Sequence, residues 1–137
     1  MQMKFSKYTE EGYRDPTAYA ALTNVARKAA VLPLVYICSP YRGDVKKNTE
    51  NARQYCRFAY DDGAVPLAPH LLFPQFMDDS NRQERRAAMH FNSILLGKCD
   101  ELWVFGNRIS SGMAEEIREA ERRNMKIRYF TEEDLKI

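Results

Sequence analysis

The sequence predicts an α/β protein built on a short parallel sheet of four to five strands. Short β-branched and aromatic runs alternate with helix-length amphipathic segments, and strands that alternate with helices belong in a parallel sheet covered on both faces. The run "YICSPYRG" (Tyr36 to Gly43) leaves an apolar strand on a Ser-Pro-Tyr-Arg-Gly turn. In open parallel sheets, strand ends of that kind are where ligands bind. The chain has 137 residues, 45% of them hydrophobic, enough for one core and too few for two.

Each element has a local reason. Residues 1–31 are polar and aromatic; within them "RDPTAYAALTNVARKAA" reads as a helix opening at Asp15-Pro16, since Asp caps a helix and Pro suits its first turn. This segment is expected to be a helical extension before an α/β domain spanning 32–137. "PLVYICS" (33–39) is the first strand, and "NTENARQYCRFAYDDGA" (48–64) a helix with Ala52, Cys56, Phe58 and Ala59 on one side. "AVPLAP" (64–69) is a second short strand. Residues 78–99 read as one helix capped near Ser80 or Asn81, followed by a strand at "DELWVFG" (100–106). A helix over 110–124 and a strand at "KIRYF" (126–130) complete the pattern, a flavodoxin- or Rossmann-like three-layer sandwich.

Composition excludes several classes. Lys and Arg total 21 against 19 acidic residues, a net of +2, which provides no polybasic field for a nucleic-acid polymer. Cys38, Cys56 and Cys99 form no C-x-x-C pair, and His70 and His90 join them in no ligand spacing. Neither a disulfide framework nor a metal is indicated, no cofactor is called for, and a reducing cytoplasm fits best. "MQMKFSKYTEEGY" lacks the apolar region of a secretory signal, and no apolar run approaches the ~20 residues of a membrane span.

Two strand ends and one helix start carry polar side chains that suit a ligand. After the first strand, the Ser39 hydroxyl, the Arg42 guanidinium and the Gly43 amide, with Tyr41 between them, suit a phosphate or a sugar; the plain alternative is a Pro-Gly turn with a solvated Arg. His70 follows the second strand, either near a ligand or held by backbone. In "ISSGMAEEIREA", Ser110 and Ser111 can cap the helix, Gly112 lets backbone approach a ligand, and the helix start offers free N–H groups. Glu116 follows at i+4 from Gly112. Glu115 has Arg118 at i+3 and Glu119 has Arg123 at i+4, so Glu116 is the acid without an obvious helical partner. A solvated acidic face is the competing explanation.

From Leu34 to Phe130 these motifs, "YICSPYRG", "PLAPHLLFPQFMDD", "CDELWVFG" and "ISSGMAEEI", resemble the nucleoside 2-deoxyribosyltransferase-like superfamily, and within it the branch termed DUF4406. That superfamily's helix motif opens on Asp or Ser, with Gly two residues on and Glu four residues after that. Ser110, Gly112 and Glu116 fit it without a gap, while the glycine that follows in the motif is replaced by Arg118. The resemblance implies that Glu116 is the catalytic carboxylate and that Tyr36 orients it. It also implies a 5′-phosphate on the substrate, because monophosphate hydrolases of the superfamily carry Ser at the motif's first position and a similar Ser-x-Arg-Gly loop. Where both characterised groups have an aspartate for the leaving base, this chain has Asn92, eight residues before Asp100.

The expected chemistry is cleavage of an N-glycosidic bond, or base exchange, on a (deoxy)nucleoside 5′-monophosphate. Glu116 would act as nucleophile or stabiliser of an oxocarbenium-like transition state, kept ionised by the Tyr36 hydrogen bond. Ser39, Arg42, Gly43, Ser110 and Gly112 would hold the 5′-phosphate and Asn92 the base, with Tyr41, His70 and Ser111 as further substrate-binding residues. An amide delivers no proton, so the base would be protonated by solvent or by a side chain such as His70. A non-catalytic nucleotide-binding or sensor module of a phage or mobile element is the rival reading, and an unrelated flavodoxin-like binding protein a third. Met89, Phe91, Ile94, Leu95 and Leu96 spread over more than one face of the 78–99 helix, and superfamily sites are commonly completed by a neighbouring subunit. A homodimer or higher homo-oligomer is therefore expected.

Overall fold

The computed structural model describes residues 32–136, so the helix expected within 1–31 lies outside the described residues. The order is β1 (Leu34–Cys38), α1 (Val45–Asp61), β2 (Val65–Leu67), two 3-10 turns (Pro69–Leu71 and Phe73–Gln75), α2 (Arg82–Leu96), β3 (Glu101–Phe105), α3 (Ser111–Arg122), β4 (Lys126–Phe130) and α4 (Glu132–Leu135). The sheet has four strands in the order β2-β1-β3-β4, all parallel. The chain steps from β1 outward to β2, then crosses back over β1 to β3. The winding therefore reverses between β1 and β3, and a crevice opens at their carboxyl ends.

Strand periodicity sorts the core into two layers. Val35, Ile37, Trp103 and Phe105 pack with Tyr55 and Ala59 of α1 and with Phe130. Tyr36, Cys38, Leu102 and Val104 point the other way, against Leu96 of α2 and Met113 and Ala120 of α3. From Val35 to Cys38 and from Leu102 to Phe105 no residue is more than 1% exposed, as expected of parallel strands covered on both faces. At the opposite end from the crevice, the Asp100 amide donates to the Leu34 carbonyl and the Leu34 amide donates to Asp100 Oδ2, both at 2.7 Å. Those two bonds fix β1 beside β3.

Side-chain caps set the helix starts. Asp44 accepts from the Lys47 amide, so α1 begins three residues before the expected 48. Asn81 caps α2 by accepting from the Gln83 and Glu84 amides. Asn81 is thus one of the two expected caps, and Asp78 to Ser80 ahead of it form a turn in which Asp78 Oδ1 accepts from the Ser80 amide and hydroxyl. The 3-10 turns have no counterpart among the expected elements, because "PHLLFPQ" carries neither helical nor strand period.

Phe130 tests the aromatic layer. It is 7% exposed, with the rings of Phe58, Trp103 and Phe105 at 5.1, 5.0 and 5.0 Å. Phe130→Ala is expected to lower unfolding free energy by about 3–5 kcal/mol in urea titration. A loss below ~1 kcal/mol would mean that this layer adapts to the missing ring.

Candidate active site

The crevice is built from the loop after β1, the segment between β2 and α2, one face of α2 and the first turns of α3. Gly43 adopts φ +101°, a conformation that favours glycine, and its carbonyl accepts from the Val45 amide as the chain turns into α1. Asn48 Nδ2 donates to the carbonyls of Tyr41 and Arg42 at 3.0 and 3.2 Å, which holds the loop. Tyr41 stacks on His70 with centroids 4.9 Å apart. His70 Nε2 lies 3.1 Å from the Ser39 carbonyl oxygen, which can only accept, so Nε2 carries the proton. Burial is the main reason the His70 pKa is lowered. Burial thus favours the neutral imidazole, which donates from Nε2 to the Ser39 carbonyl and has Nδ1 as its acceptor.

Glu116 sits at the junction of β1 and α3. Helical spacing puts it one turn beyond Gly112 and Met113, and the Tyr36 hydroxyl donates to its Oε2 from the strand beneath. The Cys38 thiol, on the same strand face, lies 3.9 Å from the Met113 carbonyl. Burial pushes the Glu116 pKa from 4.5 up to about 7; hydrogen bonds from Tyr36 and Cys38 pull it down, and the Glu119 charge pushes it up. The Tyr36 hydrogen bond lowers the pKa as expected, but it does not by itself keep Glu116 fully ionised. Desolvation outweighs the hydrogen bond, and Glu116 titrates near neutrality.

A cavity of about 580 Å³ lies over Glu116. Of the residues singled out in the sequence, Tyr41, Arg42, His70, Asn92, Ser111, Gly112 and Glu116 line it. Tyr36 lies beneath, bonded to Glu116. Ser39, Gly43 and Ser110 are not among the lining residues. Ser39 Oγ is buried without a hydrogen-bond partner, Gly43 serves its turn, and Ser110 Oγ caps α3 by accepting from the Met113 amide at 3.2 Å. A Cβ added at Gly112 would meet no atom within 4 Å, so the glycine leaves open space at the start of the helix. Asn92 Oδ1 is also buried with no partner. Phe73, Pro74, Met77, Ala88, Met89 and Leu96 make part of the lining apolar.

Sequence reasoning missed three features. Asp79 pairs with Arg42 at 3.3 Å, a contact between two loops that no spacing reveals. Ser93 Oγ donates to the Glu119 carboxylate at 2.7 Å and so joins α2 to α3. Arg85 lines the cavity seven residues before Asn92 on the same helical face, a two-turn spacing that could have been read from Asn92. The lining contains six carboxylates (Asp78, Asp79, Glu84, Glu115, Glu116 and Glu119) and three guanidiniums (Arg42, Arg85 and Arg118). Among the described residues, no group of three or more His, Cys, Asp or Glu side chains is arranged to hold a metal ion.

Fold and site together define an α/β domain with a partly desolvated carboxylate at the β1/β3 crossover. Residues 33–130 match the family described as a domain of unknown function, DUF7768, and the chain belongs to that family. The expected branch, DUF4406, is not the family that this match names. No curated protein matches the sequence. Among solved structures, the chain is similar to a 2-deoxyribosyltransferase from the psychrotolerant bacterium Bacillus psychrosaccharolyticus, with a TM-score of 0.60 and 13% identity over 72% of each chain. That likeness is one of fold, consistent with the Rossmann-like sandwich.

The raised pKa links Glu116 to stability. Between pH 4.5 and about 7 the unfolded chain has released this proton while the folded chain still holds it, so folding free energy weakens as pH rises through that window. The shift corresponds to ~3 kcal/mol. Glu116→Gln removes the titration, and its stability advantage over wild type should be about 2–3 kcal/mol larger at pH 8 than at pH 5 in urea unfolding. Parallel pH profiles for the two proteins would assign the titration elsewhere.

Proposed function

We propose that the protein cleaves the N-glycosidic bond of a (deoxy)nucleoside 5′-monophosphate, or passes its sugar to a second base, with Glu116 as nucleophile. The observation that carries this reading is the half-buried Glu116 carboxylate, held by the Tyr36 hydroxyl at the edge of a ligand-sized cavity. Tyr36 occupies Oε2, leaving Oε1 to bond to the anomeric carbon as the C1′–N bond breaks and its electron pair leaves with the base. Water, or a second base, then attacks C1′ and the carboxylate is released. A desolvated carboxylate interacts strongly with the positive charge that develops at C1′. Its pKa near 7 leaves it about half ionised at neutrality, and the cationic transition state favours the ionised form.

The base end is assigned to Asn92 and the apolar surface of Phe73, Met77 and Met89. The buried Asn92 Oδ1 has no protein partner and calls for an N–H donor from a base edge. His70 has its Nε2 proton committed to Ser39, so protonation of the leaving base is assigned to solvent. The likeness to a 2-deoxyribosyltransferase supports a nucleoside as the ligand class. Kinship with the DUF4406 branch, a place in the cytoplasm, and a homodimer or higher homo-oligomer belong to the same proposal. Met89, Phe91 and Ile94 are exposed along α2 and would form the subunit contact.

Asn92 and the carboxylate-rich lining favour one rival, a module that binds a nucleotide without turning it over. Incubation with a panel of nucleoside and deoxynucleoside monophosphates, with chromatography for free base, separates the two. On the catalytic reading, wild type releases base and Glu116→Gln loses about 10²-fold or more of that rate. Equal rates would remove Glu116 from the chemistry, and binding without release by wild type would favour the rival.

Asn92→Asp supplies a group able to exchange a proton with the base. It is expected to raise kcat more than it changes KM, because the interaction forms mainly at the transition state. A kcat at or below wild type would show that leaving-group protonation at this position does not limit the reaction.

A further inference from the structure

We infer that the anionic end of the ligand, a 5′-phosphate on the reading above, is gripped by Arg85 of α2, opposite the start of α3, and that Arg42 is not its partner. The cavity has three guanidiniums, and two are committed. Arg42 pairs with Asp79 and Arg118 pairs with Glu115. Arg85 forms no ion pair among the described residues and is half-buried on the cavity wall.

Helix register places Arg85 opposite the opening turn of α3. Both α2 and α3 return the chain between parallel strands, so they run in the same direction. The Ser93–Glu119 hydrogen bond fixes their stagger. Eight residues, about 12 Å, back from Ser93 is Arg85, and eight back from Glu119 is Ser111. The two residues stand level, and both line the cavity. A phosphate between them would meet a guanidinium fork on one side and the Ser111 hydroxyl on the other, beside the open space over Gly112. Two turns along α2, the unpartnered Asn92 Oδ1 marks the same wall as built for a ligand.

The local charge points the same way. A second hollow of about 200 Å³ adjoins the cavity and is lined by Arg82, Arg85, Arg86 and Met89, with no acid among them. Arg85 and Met89 line both spaces. Glu84 is turned back to the helix cap, where its Oε1 accepts from the Asp78 amide. The Arg42 corner is the opposite case. Asp78 and Asp79 line the cavity beside it, and the Arg42 side chain is 58% exposed, so a phosphate there faces carboxylates and competes with water.

Two titrations test the assignment: inorganic phosphate followed by NMR at the arginine Nε resonances, and calorimetric binding of a nucleoside 5′-monophosphate and its nucleoside. Phosphate should perturb the Arg85 Nε signal in wild type and leave that of Arg42 nearly still. Arg85→Gln should weaken monophosphate binding about tenfold or more without changing nucleoside binding, while Arg42→Gln changes both by less than about threefold. A larger loss of monophosphate affinity in Arg42→Gln, or equal weakening of both ligands by Arg85→Gln, overturns the inference. If wild type takes phosphate at Arg85 but binds no nucleoside, the anion site stands and the glycosidic reading falls. If it binds nucleosides while phosphate moves neither Arg85 nor the affinity, the reverse holds. Absence of all binding overturns both.

Discussion

The hydrogen bond from the Tyr36 hydroxyl to Glu116 organises the site, and its formation depends on the sheet order. Tyr36 reaches α3 because β1 lies beside β3, whose chain continues directly into that helix. The alternation of β1 sends Tyr36 and Cys38 to the α3 side and Val35 and Ile37 to the other. A one-residue slip in β1 would turn the phenol toward the aromatic core and leave Glu116 buried without its donor. The paired bonds between Leu34 and Asp100 at the far end of the strands guard against that slip.

The two faces of the sheet divide the energetic work. Tyr55, Trp103, Phe105 and Phe130, joined by Phe58, fill one face with stacked and edge-on rings. The other face has a single aromatic in its buried cluster, Tyr36, among smaller and sulfur-bearing residues such as Cys38, Met113 and Ala120. Small residues there leave room for the cavity and bring a carboxylate close to low-dielectric surroundings. The desolvation of Glu116 costs ~3 kcal/mol when ionised, a large share of the roughly 5–15 kcal/mol net stability of a domain. A close-packed aromatic layer on the opposite face offsets such a cost without touching the site.

Much of this was legible in the sequence, for identifiable reasons. Strong periodicity located all four strands and three of the helices, and "KIRYF" matched β4 to the residue. The spacing from Gly112 to Glu116, together with the salt-bridge partners of Glu115 and Glu119, isolated the acid that reaches Tyr36. The pKa of Glu116 was not legible, because desolvation depends on how much protein surrounds the carboxyl and not on which residue donates to it. The Arg42–Asp79 pair and the Ser93–Glu119 tie escaped because each joins elements whose relative placement comes only from the packed fold. The sequence casts Ser110 both as a helix cap and as a ligand contact, and Gly43 as a ligand contact; the structure shows the hydroxyl capping the helix, as expected, and the glycine serving a turn. A side chain suited to ligands is often equally suited to closing a helix or a loop.

The uneven charge of the cavity makes chemical sense when its parts are taken separately. Six carboxylates against three guanidiniums would repel an anion bound anywhere at random. Glu115, Glu119 and Asp79 are each paired to an arginine, however, and Asp78 and Glu84 accept hydrogen bonds at the start of α2, which leaves Glu116, bonded to Tyr36, and Arg85, without an ion pair among the described residues. Asn92, a neutral amide, lines the same cavity two turns along α2 from Arg85. The lining thus combines an anion that suits a cationic carbon, an uncharged hydrogen-bonding group and a cation that suits an anionic tail. An aspartate in place of Asn92 would add another negative charge to this wall and bring its own desolvation cost, as burial already does for Glu116. The amide keeps the acceptor while avoiding that cost, and on the proposed glycosidic reading the proton for the leaving group comes from water.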